Sequence, residues 1–179
     1  IRLGADKDVR CLLIAGSERA FCSGADVAEL ADASMVELYH RNLFDAWRAL
    51  WQVRKPLVAA ASGYAMGVGF ELLLACDIVV ASETLRLGLP EVAMGTIPSG
   101  GGTQRLAHAL GPARAMDIIL AGRTLTAREA LGMGLVSRVV PREHFYEQAR
   151  AVCAEIVRRP PLALELAKEA IRQAHELPL

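Results

Sequence analysis

The stretch PLVAAASGYAMGVGFELLLAC, residues 56–76, decides the fold class. Its apolar run Leu57–Ala61 has the length and composition of a buried β-strand. The glycine-rich segment Gly63–Gly69 predicts a turn, and the apolar run Phe70–Cys76 predicts a short helix that the chain enters from this turn. A further strand is expected at Asp77–Ala81. Strands that alternate with helices in this way are typical of an α/β protein.

The same alternation continues on both sides of this stretch. Ser34 and Thr126 are each followed three residues later by Glu, which is the capping box that opens a helix. Gly111 is placed to end one helix and Pro112 to begin the next. The remaining predictions are strands at Val9–Ala15 and Leu135–Val140, a loop at Gly16–Ala25, a helix from Ser34 to Lys55, a helix that ends near Leu110, and helices that begin at Arg142 and Pro161. Because no linker, repeat or low-complexity tract interrupts residues 1–179, we expect a single domain.

The composition describes a folded chain without net charge. Of 179 residues, 53% are hydrophobic and 22% are charged, so the chain has ample apolar material for a core and no signature of disorder. Twenty basic residues balance 20 acidic ones, so no net charge draws the chain toward nucleic acid or an anionic membrane. The longest charge-free stretch, Pro56–Phe70, has 15 residues, fewer than the roughly 20 of a membrane-spanning helix.

The cysteines and histidines do not suggest a metal site or a nucleophile. The four cysteines form neither a C-x-x-C pair nor a metal-ligand spacing, and they are typical of the reduced thiols of a cytoplasmic protein. The sequence has no G-x-S-x-G motif and no H-x-x-x-H pair, and its histidines fall in predicted helices. These residues are Cys11, Cys22, Cys76 and Cys153, and His40, His108, His144 and His175.

Two glutamates are candidates for acid–base chemistry. Glu71 is the only charged residue between Pro56 and Cys76, and a lone carboxylate is costly to bury unless it is paired or functional. A solvated helix face, or an arginine partner, would explain Glu71 equally well. Glu91 follows Pro90 in a predicted first helical turn, where the helix dipole alone accounts for a negative charge. Two carboxyl groups in one apolar site can nevertheless divide acid and base roles if their environments separate their pKa values.

Two glycine clusters are candidate anion-binding loops. Gly67–Leu72 begins like a dinucleotide-binding fingerprint, but Leu72 occupies its third glycine position. Gly95–Gly102 has the glycine spacing of a P-loop, but Gly101 replaces its lysine. Both nucleotide-binding interpretations fail. Glycines before a helix still allow backbone N–H groups to face a ligand oxygen, as in an oxyanion hole, and they equally form tight turns.

Several motifs together resemble the crotonase superfamily, which contains enoyl-CoA hydratases and isomerases. These motifs are FCSGAD at residues 21–26, GYAMGVGFE at 63–71, LPE at 89–91, GGGTQRL at 100–106, AGR at 121–123 and ALGMGLV at 130–136. The resemblance runs over essentially the whole chain. It implies a crotonase-like spiral of β-β-α units, here without the family's first strands and last helices, and an assembly as homotrimers or dimers of trimers.

The resemblance also implies an enoyl-CoA hydratase. In that branch of the family two glutamates hold a water molecule over the substrate double bond, and the motifs place them at Glu71 and Glu91. Glu71 would help to activate the water that adds at C3. Glu91 would bind the same water and deliver a proton to C2. Isomerases typically need only one such carboxylate, so the pair argues for the hydratase.

The same motifs assign the substrate contacts. The backbone N–H groups of Ser23 and Val68 would form the oxyanion hole for the thioester oxygen, and Gly24, Ala25 and Asp26 would lie along the bound coenzyme A. Coenzyme A arrives as part of the substrate, so the resemblance implies no metal and no redox cofactor. Val68 stands where the family often has glycine, so its side chain is expected to point away from the thioester.

Other functions stay open at this point. Within the family they are an enoyl-CoA isomerase, an acyl-CoA hydrolase or a decarboxylase. A non-catalytic or RNA-binding member of the family is the alternative of a different class. The zero net charge gives RNA binding no support.

Overall fold

The computed structural model describes residues 2–26 and 43–174. Within these residues the strands are β1 (Leu12–Ala15), β2 (Ala20–Cys22), β3 (Leu57–Ala61), β4 (Tyr64–Met66), β5 (Ile78–Ser82), β6 (Arg86–Gly88), β7 (Leu125–Thr126) and β8 (Arg138–Val140). The helices are α1 (Arg2–Ala5), α2 (Leu43–Trp51), α3 (Val68–Ala75), α4 (Gly102–Leu110), α5 (Pro112–Leu120), α6 (Ala127–Gly132), α7 (Phe145–Ile156) and α8 (Pro161–Gln173). Short 3₁₀ helices lie at Glu91–Met94 and Arg142–His144.

The chain forms a spiral in which successive turns add one strand to each of two sheets. In the described part of the chain, β1, β3, β5 and β8 lie side by side and parallel in the first sheet. The second sheet has the order β2, β4, β6 and β7, and only β7 is antiparallel to its neighbour. The α/β fold class and the β-β-α units are therefore confirmed.

The buried strand β3 lies at the centre of the core. Its alternate side chains point to opposite faces of the sheet, as those of any strand do. Val58 and Ala60 pack in a small cluster with Phe145, Ala149 and Val152 of α7. Ala59 and Ala61 belong to the main cluster, which fills the space between the sheets and the helices α3, α4 and α5. Small residues on β3 let the layers on both of its faces approach the strand closely.

Several predicted local signals are present as expected. Strand β3 has the predicted bounds, and Gly111 ends α4 where Pro112 begins α5. The capping box of α6 is complete, because the Thr126 hydroxyl accepts from the Glu129 N–H at 3.2 Å and the Glu129 carboxylate accepts from the Thr126 N–H at 2.8 Å. The capping box at Ser34 lies outside the described residues.

Other predicted bounds are wrong. The predicted loop at Gly16–Ala25 contains β2, and the predicted glycine-rich turn contains β4. Both strands have three residues, too few for a periodic pattern to appear in the sequence. The predicted outer strands begin later than expected, at Leu12 and Arg138, and α2 ends at Trp51 rather than at Lys55. Among the described helices, none combines the length and the apolar composition needed to cross a lipid bilayer.

Candidate active site

Glu71 lies in the first turn of α3, and its side chain is completely shielded from solvent. Its Oε1 accepts two backbone hydrogen bonds, from the N–H of Gly100 at 2.7 Å and from the N–H of Gly102 at 2.8 Å. Gly102 is the first residue of α4, so the positive end of that helix faces the carboxylate. Hydrogen bonds from N–H groups to a charged oxygen are among the stronger ones in proteins. They fix the position of the Glu71 carboxylate.

The glycine cluster before α4 positions a carboxylate of the protein itself. Two of its N–H groups bind the Glu71 carboxylate of the protein itself rather than a ligand oxygen. A β-carbon on Gly100 or Gly102 would come within 2.9 Å of a Glu71 carboxylate oxygen. The sequence showed the glycines and the buried glutamate separately, but no local signal indicated that they are partners.

Glu91 is the first residue of a 3₁₀ helix and is only 9% exposed. Pro90 lies just before this helix, and Glu91 is in the first helical turn, as predicted. Burial raises the pKa of the Glu91 carboxyl, and the negative charge of Glu71 raises this pKa further. Gly67 lies against Glu91, because a β-carbon on Gly67 would be 2.9 Å from Oε1 of Glu91.

The two glutamates share an unusual feature. Oε2 of Glu71 and Oε2 of Glu91 are both buried, and neither has a hydrogen-bond partner among the described residues. Buried carboxylate oxygens are normally paired, because an unsatisfied polar group in a protein interior is costly. The negative charge of Glu71 also acts on Glu91, so the two carboxyl groups lie within electrostatic reach of each other.

The segment that follows β2 runs beside the segment that leads into α3. Cys22 is paired with Ala65, and a β-carbon on Gly69 would clash with the Cys22 carbonyl oxygen. A β-carbon on Gly24 would lie 3.2 Å from the Met66 carbonyl oxygen. Residues 22–24 therefore run alongside residues 66–69, which brings the backbone of Ser23 next to the start of α3.

Val68 is the first residue of α3, so its N–H has no acceptor within the helix. Its side chain lines an apolar cavity of about 680 Å³ together with Leu72 and Trp47. Of the predicted coenzyme A contacts, Gly24 has a positive φ of 110° and is half-buried, while Ala25 and Asp26 are exposed.

Trp47, on α2, lies beside the candidate site, and no motif in the sequence indicated this position. The Trp47 ring lies 2.5 Å from the position of a β-carbon on Gly100, and Oε2 of Glu71 lies 2.9 Å from the same position. The indole ring and the unpartnered oxygen therefore lie on the same side of Gly100. Only the folded structure brings residues so distant in the sequence together.

The described cysteines do not form a reactive thiolate pair, and the described residues do not form a metal-ligand cluster. All four cysteines are free and half-buried. Burial raises the pKa of the Cys11 and Cys76 thiols to about 12, so neither is a thiolate at neutral pH. No group of three or more His, Cys, Asp or Glu side chains in the described ranges could hold a metal ion.

Comparison with known proteins agrees with this geometry. The family model described as enoyl-CoA hydratase/isomerase matches residues 2–179. The chain belongs to the enoyl-CoA hydratase/isomerase family. A probable mitochondrial enoyl-CoA hydratase of Dictyostelium discoideum is 44% identical over 174 residues, which is 97% of this chain and 63% of that protein. A probable enoyl-CoA hydratase of Mycobacterium bovis is also 44% identical, over 97% of this chain and 68% of that protein.

Solved structures of the enoyl-CoA hydratase/isomerase family share the fold. The crystal structure of subunit I of an enoyl-CoA hydratase from Geobacillus kaustophilus HTA426 matches with a TM-score of 0.95 and 40% identity. The match covers 98% of this chain and 68% of that one. The chain thus spans about two thirds of the length of these family members.

Proposed function

We propose that the protein is an enoyl-CoA hydratase, which adds water across the C2–C3 double bond of a 2-enoyl-CoA thioester. The observation that carries the proposal is the pair of buried carboxyl groups, Glu71 and Glu91, each with an oxygen that lacks a partner among the described residues. A water molecule between them would satisfy both oxygens. The names of the relatives support the same reaction.

The two carboxyl groups divide the proton transfers. The N–H groups of Gly100 and Gly102 hold Oε1 of Glu71 in place, and Oε2 of Glu71 takes a proton from the water as the hydroxyl group adds to C3. Glu91 is the proton donor to C2, which fits its raised pKa. A proton shift from Glu71 to Glu91 then restores the starting state. The product is the 3-hydroxyacyl-CoA: its hydroxyl group comes from the water and its C2 proton from Glu91, so the complete cycle consumes one water molecule.

The addition places negative charge on the thioester oxygen. The backbone N–H groups of Ser23 and Val68 stabilise this charge. The loss of one such donor raises the activation free energy by roughly 3–4 kcal/mol. Gly24, Ala25 and Asp26 lie along the coenzyme A. The closeness of residues 22–24 to residues 66–69 supports this assignment.

A homotrimer or a dimer of trimers is part of the proposal. Met116 and Leu120 lie on α5 and are 57% and 70% exposed, which is typical of a face that another subunit covers. Light scattering on the purified protein tests this assembly, and a monomeric mass would contradict it.

The experiment that tests the function follows the absorbance of the conjugated enoyl thioester when the protein meets crotonyl-CoA. We expect rapid loss of absorbance, and a fall of about 100-fold or more in turnover for Glu91→Gln and for Glu71→Gln. Glu155→Gln is the matched control, because Glu155 is exposed on α7. Turnover close to that of the wild type in Glu91→Gln would contradict the assigned role. Coenzyme A binding without loss of absorbance would indicate another reaction of the family.

A further inference from the structure

Two tryptophans of α2 and one arginine of α4 form a stack beside the candidate active site. The ring centroids of Trp47 and Trp51 lie 6.5 Å apart, with the ring planes tilted by 31°. The guanidinium carbon of Arg105 lies 5.8 Å from the centroid of the Trp51 ring. Aromatic rings with centroids up to about 7 Å apart attract each other, and so do an indole ring and a guanidinium within about 6 Å. We call this group the Trp47–Trp51–Arg105 stack.

The stack lies against the glycine segment that precedes α4. The Trp47 ring comes within 2.5 Å of the position of a β-carbon on Gly100. A β-carbon on Gly101 would lie 3.6 Å from the Trp51 ring and 3.5 Å from Nε of Arg105. The backbone N–H of Arg105 also donates to the Gly101 carbonyl oxygen at 2.9 Å. Each member of the stack therefore contacts this glycine segment.

Arg105 also joins α4 to the helix that carries Glu71. Its Nη1 donates to the carbonyl oxygen of Leu74, near the end of α3, at 3.4 Å. At the other end of α3, Oε1 of Glu71 accepts from the N–H of Gly100 at 2.7 Å. None of the described ion pairs includes Arg105. The described contacts of its guanidinium are thus with the Trp51 ring and with α3, rather than with a carboxylate.

We propose that Trp51 and Arg105 are positioning residues for Glu71. The inference rests on the proposed function, because it concerns turnover through this carboxylate. The stack holds the glycine segment where the N–H of Gly100 binds Oε1 of Glu71, so Oε2 stays fixed where the water molecule would bind. Trp51 and Arg105 act on the reaction only through this segment.

Steady-state kinetics with crotonyl-CoA separate positioning from substrate binding. We expect Trp51→Ala to lower kcat about tenfold and to leave KM within about twofold, because a small displacement of a catalytic group slows the chemical step. Trp51→Phe should restore kcat to within about threefold of the wild type, since a phenyl ring still attracts the guanidinium. The matched control with full activity is Tyr146→Ala on α7, where Tyr146 is 46% exposed and Trp51 is 37% exposed. A wild-type kcat in Trp51→Ala, or equal losses in Trp51→Ala and Trp51→Phe, would overturn the inference.

A double variant tests whether the two residues act through one stack. Arg105→Met removes the guanidinium and should also lower kcat about tenfold. If the residues act together, Trp51→Ala combined with Arg105→Met should lose about as much as either single variant. A loss of about 100-fold in the double variant, the product of two independent effects, would contradict the shared stack.

Amide hydrogen exchange followed by NMR tests the same contact without any substrate. We expect the N–H groups of Gly100 and Gly102 to exchange about fivefold or more faster in Trp51→Ala than in the wild type, while the amides of α7 keep their rates. Unchanged exchange at both glycines would overturn the inference. If the wild type does not hydrate crotonyl-CoA, the proposed function fails, and the exchange rates still decide whether the stack holds the glycine segment. If Trp51→Ala does not fold, Arg105→Met takes its place in both measurements.

Discussion

Gly102 donates its backbone N–H to Oε1 of Glu71 at 2.8 Å, and a β-carbon on Gly102 would lie 2.9 Å from the same oxygen. The residue thus positions the carboxylate both through its N–H and through its lack of a side chain. Gly102 opens α4 and is not among the glycines with positive φ. Its replacement by alanine therefore tests the contact with Glu71 rather than backbone strain.

We expect Gly102→Ala to lower the kcat for crotonyl-CoA by about tenfold or more, because the added methyl group displaces the Glu71 carboxylate. The matched control is Gly132→Ala, since Gly132 also lies in a helix and a β-carbon there meets no atom within 4 Å. Gly132→Ala should keep full activity and gain up to about 1 kcal/mol in the free energy of unfolding. Steady-state kinetics and urea unfolding measure both effects. A wild-type kcat in Gly102→Ala would show that the position of Oε1 does not matter.

The buried state of Glu91 predicts how stability depends on pH. Burial raises the pKa of the folded protein's Glu91 above its ordinary value of 4.5. The resulting stabilisation is complete below the unfolded pKa and is lost as the pH rises through the folded pKa. Glu91→Gln removes this dependence. The Tm of Glu91→Gln minus that of the wild type should therefore increase between about pH 4 and about pH 8. Thermal unfolding across this range checks the sign, and a difference that falls with pH would contradict the burial argument.

The ion pair between Lys168 of α8 and Asp77 is expected to contribute to the free energy of unfolding. Nζ of Lys168 lies 2.6 Å from Oδ2 of Asp77 and donates to the Lys55 carbonyl oxygen at 2.7 Å, and the Lys168 side chain is only 7% exposed. Lys168→Met should lower the free energy of unfolding by about 2 kcal/mol, because Asp77 would lose its buried partner. Arg172→Met should cost about 1 kcal/mol or less, since Arg172 pairs with Asp77 at 3.2 Å but is 33% exposed. Urea unfolding ranks the two variants, and the reverse order would contradict this account.

The capping box of α6 contains Glu129, whose lowered pKa predicts a loss of stability in acid. Hydrogen bonds from Thr126, with the Arg123 guanidinium beside it, lower the pKa of Glu129 to about 2. A lowered pKa stabilises the fold above the unfolded value, and this contribution is lost as the pH falls through the folded value. The wild type should therefore be more stable than Glu129→Gln at neutral pH, and the difference should shrink as the pH falls from about 4.5 toward about 2. Chemical unfolding at several acid pH values measures the difference. A difference that persists at the lowest pH would assign the effect to packing.

The sequence predicted the elements whose signals are local. Strand β3, the junction at Gly111 and the capping box at Thr126 each depend on a few neighbouring residues, and each is present. Strands β2 and β4 were missed because three-residue strands are defined by their backbone partners. Lys168 gave no local sign of burial, since it occupies a polar position in an amphipathic helix and is buried only by the residues that α8 meets.

In the candidate site, too, the features with a local signal could be predicted and those that depend on distant segments could not. Glu71 and Glu91 could be selected because each departs from its apolar or glycine-rich surroundings. Their relationship to Gly67, Gly100, Gly102 and Trp47 could not be predicted, because it depends on how separate turns of the spiral pack together. The catalytic roles, the cytoplasmic location and the trimeric assembly stay predictions.

The order of the first sheet has a consequence for how the protein folds. Its ladders join segments far apart along the chain, with Leu12 opposite Leu57 and Val80 opposite Arg138. Loop closure must therefore precede each pairing, which makes the folding of such topologies slow, on the order of milliseconds to seconds. During synthesis, the edge of β5 that pairs with β8 stays unpaired until the residues around Arg138 have left the ribosome. In that interval the nascent chain presents an unpaired apolar edge, the kind of surface that molecular chaperones bind.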